Sequence, residues 1–231
     1  QMLGDGGPNR TVLRALADVM PVYDRTIDVI VATHPDQDHI SGLIDVLNRF
    51  SVSAVLESGV NASTNAYQIL EKTIVEKKVP RILARRGMRI VLDEYIYLDV
   101  LFPDRDVTNM ETNTASIVAQ LHYGYTNVML TGESPKAIEK YLVSLYGKAL
   151  HSDILKPGHH GSKTSSSPEF IAAVAPEYAV ISAGKANKYG HPNQETLDTL
   201  KQFDISILRT DKSGAVVFQS DGFDVRVING E

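Results

Sequence analysis

The sequence predicts an α/β protein with a sizeable hydrophobic core. Short apolar, β-branched runs alternate with segments that have helical spacing, which is typical of sheets covered by helices. Polar clusters rich in histidine and aspartate stand at the ends of predicted strands, where α/β folds place their ligands. The chain has 231 residues, 43% of them hydrophobic, which is enough to bury such a core.

The first part of the chain predicts a strand–helix–strand unit preceded by a helix. Apolar residues recur at helical intervals before Pro21, and a continuous apolar run follows. The predicted elements are a helix over residues 12–20, a strand over 27–32, a helix beginning just after His39, a strand over 52–56 and helical character over 61–78.

From residue 81 onward the pattern changes to strands and then to a second mixed segment. Strands are predicted over residues 88–92, 95–102, 116–122, 125–130, 153–155 and 178–182. Helices are predicted to begin at caps Ser134, Ser167 and Asn193, with Gly147 ending the first, and a hairpin turn is predicted at 220–222. Because no linker or repeat interrupts the chain, we expect a single domain over residues 1–231.

Composition excludes several classes of site. Cysteine is absent, so disulfides, thiolate nucleophiles and thiolate metal ligands are excluded, and any metal must be held by histidine and carboxylate. The net charge of −5 argues against nucleic-acid binding by bulk electrostatics, although residues 148–190 are locally positive. No apolar run is long enough to span a bilayer, and the first residues do not have the pattern of a secretion signal.

The first polar cluster is HPDQDH, residues 34–39. His34 with Asp36 can bind one ion, and Asp38 with His39 can bind a second. Two oxygen and two imidazole ligands favour Mn²⁺ or a mixed Zn²⁺ site. The alternative is a polar loop before a helix, with Asp38 as the N-terminal cap.

The second polar cluster is GHHGS, residues 158–162, at the end of a predicted strand. Its two histidines are followed by Gly161 and Ser162, whose backbone amides are expected to be exposed and to receive anion oxygens. The alternative is a loop in which one histidine only satisfies backbone carbonyls.

These motifs resemble those of the metallo-β-lactamase superfamily. HPDQDH is similar to the superfamily's His-x-His-x-Asp-His motif, with Asp36 in place of the second histidine. That substitution, together with LKPGHHGS at 155–162, ISAG at 181–184 and YGHP at 189–192, resembles the hydrolase domain of the ComEC family of DNA-uptake channels. The resemblance covers nearly the whole chain. It implies a four-layered αβ/βα sandwich whose first strands are largely missing before the opening motif Asp5-Gly6-Gly7-Pro8.

The resemblance also assigns roles by position. It implies two divalent metal ions, Mn or Zn with Mg also suitable, and these metal ligands: His34, Asp36, Asp38, His39, Glu133 and His159. Asp38 would also accept a proton, and His160 would face a substrate phosphate or protonate a leaving oxygen. The implied substrate-binding residues are Ser162, Lys163, His191 and Asn113. The alternative for Asn113 is a polar turn, and the alternative for His191 is a role in loop packing.

Glu133 departs from the family pattern, which has aspartate at this turn. One additional methylene moves the carboxylate by about 1 Å, comparable to the tolerance of a metal site. Glu133 either reaches the metals through another rotamer or is only an acidic residue near a helix N-terminus. The family's middle histidine ligand is also absent, and Asn113 lies in the matching segment.

The resemblance implies a phosphodiester hydrolase that cleaves DNA, single- or double-stranded, by means of a metal-activated water. The implied partner is the membrane domain of a larger channel protein, and the implied location is the extracytoplasmic face of a bacterial membrane. Two alternatives stay open: a catalytically impaired DNA-binding or structural module, motivated by Glu133, and a small-molecule hydrolase acting on a nucleotide or lactone.

Overall fold

The structure is a computed structural model that describes residues 1–185 and 187–229. It contains two compact units. Unit 1 comprises Gln1–Arg86 and Phe102–Ile117, and unit 2 comprises Gly87–Leu101 and the chain from Val118 onward. Each unit combines a sheet with helices, so the predicted α/β class is confirmed. One domain over residues 1–231 stays a prediction.

Unit 1 is built on a four-stranded parallel sheet in the order β1-β2-β3-β4. Its core lies between the central strands and the helices, where Ile30, Ile40 and Leu43 are fully buried. The elements are β1 Met2–Gly4, α1 Thr11–Val19, β2 Thr26–Ala32, α2 Gln37–Arg49, β3 Ser51–Glu57, α3 Asn65–Lys77 and β4 Arg81–Leu83.

Helix α2 begins at Gln37, three residues earlier than its apolar spacing predicts, so Asp38 and His39 lie in its first turn. The Asp36 carbonyl accepts hydrogen bonds from the backbone N–H groups of His39 (2.9 Å) and Ile40 (3.1 Å), which starts the helix. Asp36 therefore occupies the N-cap position, and it makes no side-chain cap bond. The alternative that Asp38 is the cap is wrong.

Unit 2 is built on a seven-stranded mixed sheet in the order β11-β10-β9-β8-β7-β6-β5. The pairs β5/β6 and β7/β8 are antiparallel, and β8 to β11 are parallel. The strands are β5 Arg89–Asp93, β6 Ile96–Phe102, β7 Val118–Tyr123, β8 Thr126–Leu130, β9 Ile154–Lys156, β10 Tyr178–Ile181 and β11 Ser206–Arg209. Among its described residues are also a separate hairpin, four α-helices and two short 3₁₀ helices. They are β12 Val217–Ser220, β13 Val225–Asn229, α4 Lys136–Tyr146, α5 Pro168–Val174, α6 Gln194–Gln202, α7 Thr210–Ser213 and the 3₁₀ helices Gly147–Leu150 and His159–Gly161.

Two of the three predicted caps stand where expected. Ser167 and Asn193 are the N-cap residues of α5 and α6, whereas Pro135, and not Ser134, is the N-cap of α4. Proline fixes φ near −65°, so it fits either the N-cap position or the first turn. The sequence alone therefore does not decide whether Ser134 or Pro135 is the N-cap. No helix in the described ranges is long and apolar enough to cross a membrane.

Candidate functional site

In unit 1 the loop after β1 presses directly on helix α2. Gly6 N–H donates to the His39 carbonyl (2.7 Å), and Gly42 N–H donates to the Gly7 carbonyl (3.0 Å). A Cβ on Gly42 would lie 2.0 Å from the Gly6 carbonyl oxygen, so only glycine allows this approach. The approach places Asp5, just before Gly6, beside the first turn of α2.

Asp5 orients both histidines of HPDQDH. Its Oδ2 accepts hydrogen bonds from His39 Nδ1 (2.8 Å) and from the Thr33 hydroxyl (2.9 Å), and its Oδ1 accepts from Thr33 N–H (2.9 Å). Because the Thr33 hydroxyl gives its proton to Asp5, its oxygen accepts from His34 Nδ1, 2.9 Å away. Both imidazoles therefore carry their proton on Nδ1, and Nε2 is the nitrogen with a lone pair for a ligand.

The charge of Asp5 is stabilised by these contacts. Burial raises the pKa of its carboxyl, but the hydrogen bond and positive potential of His39, the potential of His34 and the Thr33 amide outweigh burial and lower the pKa below its ordinary value. Asp5 is therefore an anion near neutral pH and holds the imidazole N–H groups firmly.

Each carboxylate of HPDQDH lies near one of its histidines, and the predicted binding of one ion by each pair stays a prediction. His34 Nε2 lies 3.9 Å from Asp36 Oδ2, and a ligand atom of Asp38 lies within 4.8 Å of one of His39. His34 and His39 are buried at 1% and 3% exposure, whereas Asp38 is exposed. We call His34, Asp36, Asp38 and His39 the unit 1 cluster.

Asn113 belongs to a turn stabilised by Glu111. The Glu111 carboxylate accepts from the backbone N–H groups of Asn113 (3.1 Å) and Thr114 (2.7 Å) and from the Thr114 hydroxyl (2.8 Å). Ile117 N–H, just after this turn, donates to the Thr33 carbonyl (2.9 Å). The turn is thus tied to the residue before His34, and a role of Asn113 toward a ligand or water stays a prediction.

In unit 2 the turn after β8 brings Glu133 to the GHHGS loop. The Thr131 hydroxyl donates to the Lys156 carbonyl (2.7 Å), and His159 N–H donates to the Gly132 carbonyl (3.3 Å). Glu133 is 4% exposed, with Oε1 3.0 Å from His160 Nε2 and Oε2 3.6 Å from His159 Nε2. We call Glu133, His159 and His160 the unit 2 cluster.

The proton positions in this cluster are constrained. His160 Nδ1 lies 2.6 Å from the Ser182 carbonyl, which can only accept, so Nδ1 carries a proton. In a neutral His160 the Nε2 lone pair would then face the Glu133 carboxylate at 3.0 Å. Two lone pairs at this distance repel, and a proton or a cation is needed to join them.

The histidine pair is held in an unusual backbone conformation. His159 and His160 have φ values of 48° and 54°, in the left-handed region that non-glycine residues seldom adopt. Such conformations cost about 1–2 kcal/mol per residue and occur where surrounding structure imposes them, often at functional sites. This backbone aims both rings at Glu133.

The expectation that the amides of Gly161 and Ser162 are exposed is wrong. Gly161 N–H donates to the Gly158 carbonyl (3.0 Å), and Ser162 N–H donates to the His159 carbonyl (2.8 Å). The Ser162 side chain is 4% exposed, and its hydroxyl oxygen accepts from the Thr164 hydroxyl (3.0 Å). Both N–H groups bond within the loop because its left-handed residues form a tight turn. Lys163, the residue after the loop, is exposed.

His191 lies beside the unit 2 cluster. Its ring centroid is 5.4 Å from that of His159, and its Nδ1 is buried without a hydrogen-bond partner among the described residues. Burial and the neighbouring His159 and His160 lower the pKa of His191, against the opposite effect of Glu133. The imidazole is therefore neutral near pH 7.

The residues that sequence reasoning missed are those that orient the histidines. Asp5 was recognised only as part of an opening motif, and Thr33 and the Ser182 carbonyl received no role. A signal for Asp5 exists in the Asp-Gly-Gly sequence, since two glycines after a carboxylate indicate a close backbone approach.

The donor set fits divalent metal ions. Each cluster offers imidazole nitrogens and carboxylate oxygens, and no thiolate is present in the chain. Histidines that ligate a metal through one ring nitrogen almost always donate the other N–H to a carboxylate, carbonyl or water. His34, His39 and His160 all show this arrangement at Nδ1.

Comparisons with known proteins agree with this chemistry. Residues 22–185 match the model of the metallo-β-lactamase superfamily. The chain is 31% identical over 196 residues to ComE operon protein 3 of Bacillus subtilis, covering 84% of this chain and 25% of that protein. It is 31% identical over 212 residues to competence protein ComA of Neisseria gonorrhoeae, covering 90% of this chain and 28% of that protein.

The fold is shared with solved structures at low identity. Zn²⁺-bound PqqB from Methylobacterium extorquens superposes with a TM-score of 0.51 at 10% identity, covering 90% of this chain and 81% of that one. The predicted metallo-β-lactamase fold is therefore confirmed. The chain spans about a quarter of the length of the competence proteins that it matches. It belongs to the metallo-β-lactamase superfamily, a superfamily of metal-dependent hydrolases, and is related to competence proteins.

Proposed function

We propose that this chain is a metal-dependent phosphodiesterase that cleaves DNA. Membership of a metal-dependent hydrolase superfamily and similarity to competence proteins support the reaction class and the substrate. The locally positive segment 148–190, which contains the GHHGS loop, suits a polyanionic substrate.

The observation that carries the proposal is the orientation of the imidazoles. The Asp5 carboxylate engages His39 Nδ1, which leaves Nε2 for a ligand. The Thr33 hydroxyl does the same at His34. Any buried histidine needs such a partner, and the further support is that the Nε2 atoms of His34 and His159 lie 3.9 Å and 3.6 Å from carboxylate oxygens. The proposed ligands are His34, Asp36, Asp38 and His39 of unit 1, and Glu133 and His159 of unit 2.

Divalent ions, when bound, supply a water of lowered pKa and neutralise charge on the phosphate being cleaved. In the proposed reaction an Asp38 carboxylate oxygen accepts the proton of the attacking water. His160 Nε2, which faces the Glu133 carboxylate, gives a proton to the leaving oxygen. Lys163, exposed beside this cluster, is the proposed contact to a nonbridging phosphate oxygen. His191 is the proposed neutral contact to substrate.

The test is degradation of supercoiled plasmid by the purified chain in Mn²⁺, Zn²⁺ or Mg²⁺, with an excess of EDTA as the negative control. We expect nicking and linearisation with at least one ion and none in EDTA. Hydrolysis of bis(p-nitrophenyl) phosphate without plasmid cleavage would instead indicate a small-molecule hydrolase.

The matched variants are His39→Ala, which removes an Nε2 donor of unit 1, and His151→Ala, which removes an exposed histidine outside the clusters. We expect His39→Ala to lose activity and metal content and His151→Ala to keep both. Full activity and full metal content in both His39→Ala and His159→Ala would refute the assignment.

We further propose that the domain functions with a membrane channel domain, at the extracytoplasmic face of a bacterial membrane. Its similarity to about a quarter of each competence protein supports this arrangement. Protease accessibility of the domain in intact spheroplasts tests the location, and protection equal to that of a cytoplasmic marker would overturn it.

A further inference from the structure

Residues 187–192, which we call the Tyr189 loop, form a closed turn in unit 2. The Asn187 amide Nδ2 donates to the His191 carbonyl (2.6 Å) and to the Gly184 carbonyl (3.1 Å), and its Oδ1 accepts from His191 N–H (2.9 Å). Gly190 has φ +68°, which allows the chain to reverse. The Asn187 side chain thus closes the turn through two hydrogen bonds to His191 and ties it to Gly184 through a third.

The Tyr189 loop is also fixed against the GHHGS loop. Asn193 N–H donates to the Gly161 carbonyl (2.9 Å), and the Asn193 Oδ1 accepts from Lys163 N–H (2.8 Å). A Cβ on Gly161 would lie 2.7 Å from Pro192 Cβ, so the two loops are in close contact. The position of Tyr189 relative to His159 is therefore set by the contacts of Pro192 and Asn193 with the GHHGS loop and Lys163.

A row of ring contacts extends from the solvent-exposed Tyr189 to the unit 2 cluster. The ring of Tyr189 is offset-stacked on that of His191, with centroids 6.0 Å apart and an interplanar angle of 19°, and His191 in turn contacts His159 at 5.4 Å. Tyr189 is 67% exposed, and Lys188 Nζ lies 5.1 Å from its ring centroid.

A lone exposed tyrosine needs no explanation. Here the aromatic ring is positioned by a closed loop, stands next to the histidine of a hydrolytic cluster and carries a cation on a flexible stem. Aromatic platforms combined with positive charge are how proteins hold single-stranded nucleic acid, because every base has a π-face and every nucleotide has a phosphate.

We propose that Tyr189 is a substrate-positioning residue on which an unpaired nucleobase beside the cleaved phosphate stacks, while Lys188 contacts a neighbouring phosphate. This inference rests on the proposed DNA hydrolysis and narrows its substrate to nucleotides whose base is accessible. Tyr189 selects for a base without taking part in proton transfer.

The test measures binding without catalysis. A single-stranded oligonucleotide containing one 2-aminopurine is titrated with the chain in EDTA, and stacking is read as quenching of the 2-aminopurine fluorescence. We expect quenching with the natural chain and with Tyr189→Phe, and about tenfold weaker binding with loss of quenching in Tyr189→Leu. Tyr23→Leu is the matched control, since Tyr23 is 89% exposed in unit 1. Absence of quenching with the natural chain, or equal quenching by Tyr189→Leu, would overturn the inference.

A second measurement separates this inference from the proposed function. Cleavage in Mn²⁺ is compared for an ordinary oligonucleotide and one of equal length with abasic residues. We expect the natural chain to prefer the ordinary oligonucleotide and Tyr189→Leu to lose the preference. Quenching that depends on Tyr189 in a chain without nuclease activity would refute the hydrolysis alone. Cleavage with no preference for bases would refute the role of Tyr189 alone.

Discussion

The Asp5 carboxylate accepts a hydrogen bond from His39 Nδ1 over 2.8 Å, although 34 positions separate the two residues in the sequence. Through the Thr33 hydroxyl the same carboxylate also determines the proton position on His34. One anion therefore orients two candidate metal ligands, and its removal should weaken metal binding without removing any ligand.

We expect Asp5→Asn to lower metal affinity by about 10- to 100-fold, as is usual for loss of such an orienting partner. Asparagine suits this position because Asp5 has φ +53°, which asparagine tolerates. Isothermal titration with Mn²⁺ measures the change, and Asp18→Asn, an exposed carboxylate on α1, is the control. Equal affinities of Asp5→Asn and the natural chain would contradict the orienting role.

Glu133→Gln should reduce metal content of the chain. The substitution keeps the length of the side chain but removes the charge that lies 3.0 Å from His160 Nε2 and 3.6 Å from His159 Nε2. Metal analysis after dialysis measures the loss, and Glu195→Gln, which alters only an exposed ion pair with Lys136, is the control. Unchanged metal content together with unchanged activity would show that Glu133 is not a metal ligand and only shares a proton with His160.

Gly42→Ala should destabilise unit 1 although alanine is the better helix former by about 1 kcal/mol. The new Cβ would lie 2.0 Å from the Gly6 carbonyl oxygen, which is backbone and cannot move aside cheaply. We expect a loss of about 3 kcal/mol in urea unfolding. Gly4→Ala is the control, because an added Cβ there meets no atom of the described residues within 4 Å. If Gly42→Ala were more stable than the natural chain, the loop after β1 would be able to move away from α2.

Ser166→Gly should stabilise the chain by about 1 kcal/mol, since glycine relieves the left-handed backbone of Ser166 at φ +62°. The change also removes a buried hydroxyl that has no hydrogen-bond partner among the described residues. Ser167→Gly, at φ −63°, removes a similar buried hydroxyl but relieves no left-handed backbone and adds chain entropy to the unfolded state, so it should be less stable than Ser166→Gly. Thermal unfolding measures both, and a Ser167→Gly variant at least as stable as Ser166→Gly would contradict this account.

Glu139 should make stability depend on pH. Burial raises the pKa of its carboxyl above the ordinary 4.5, although the Ser167 and Ser166 amides oppose the shift. The folded chain therefore holds this proton more tightly than the unfolded chain, so the Glu139 contribution is greatest below pH 4.5 and is lost as pH rises through the folded-state pKa.

Glu139→Gln cannot lose a proton, so the stability of the natural chain relative to this variant should fall as pH rises above 4.5. Urea unfolding of metal-free protein between about pH 4 and 7 measures the difference. Glu169→Gln on α5 is exposed and serves as the control. A difference that stays constant or grows with pH would exclude the raised pKa.

Most elements were predictable from their apolar runs. The strand predicted over residues 27–32 is β2 Thr26–Ala32, and the helix ending before Gly147 is α4. The short strands β9 and β10 were also predicted, whereas β1, β4 and β11 were not, because three or four residues carry little periodicity to detect. Helix α2 began early because backbone bonds to the Asp36 carbonyl decide its start, whereas the apolar face begins at Ile40.

The sequence by itself determined the chemistry available to this protein. Without cysteine only imidazole and carboxylate can hold metal, and the motifs at residues 34–39 and 158–162 identify the superfamily. Only the tertiary structure decided which nitrogen of each imidazole is held by a hydrogen bond and which one is left for a ligand or a proton. That choice depends on a hydrogen-bond partner brought from a distant part of the chain, such as Asp5 for His39 and the Ser182 carbonyl for His160. Local sequence cannot specify it, because the partner is a neighbour in space alone.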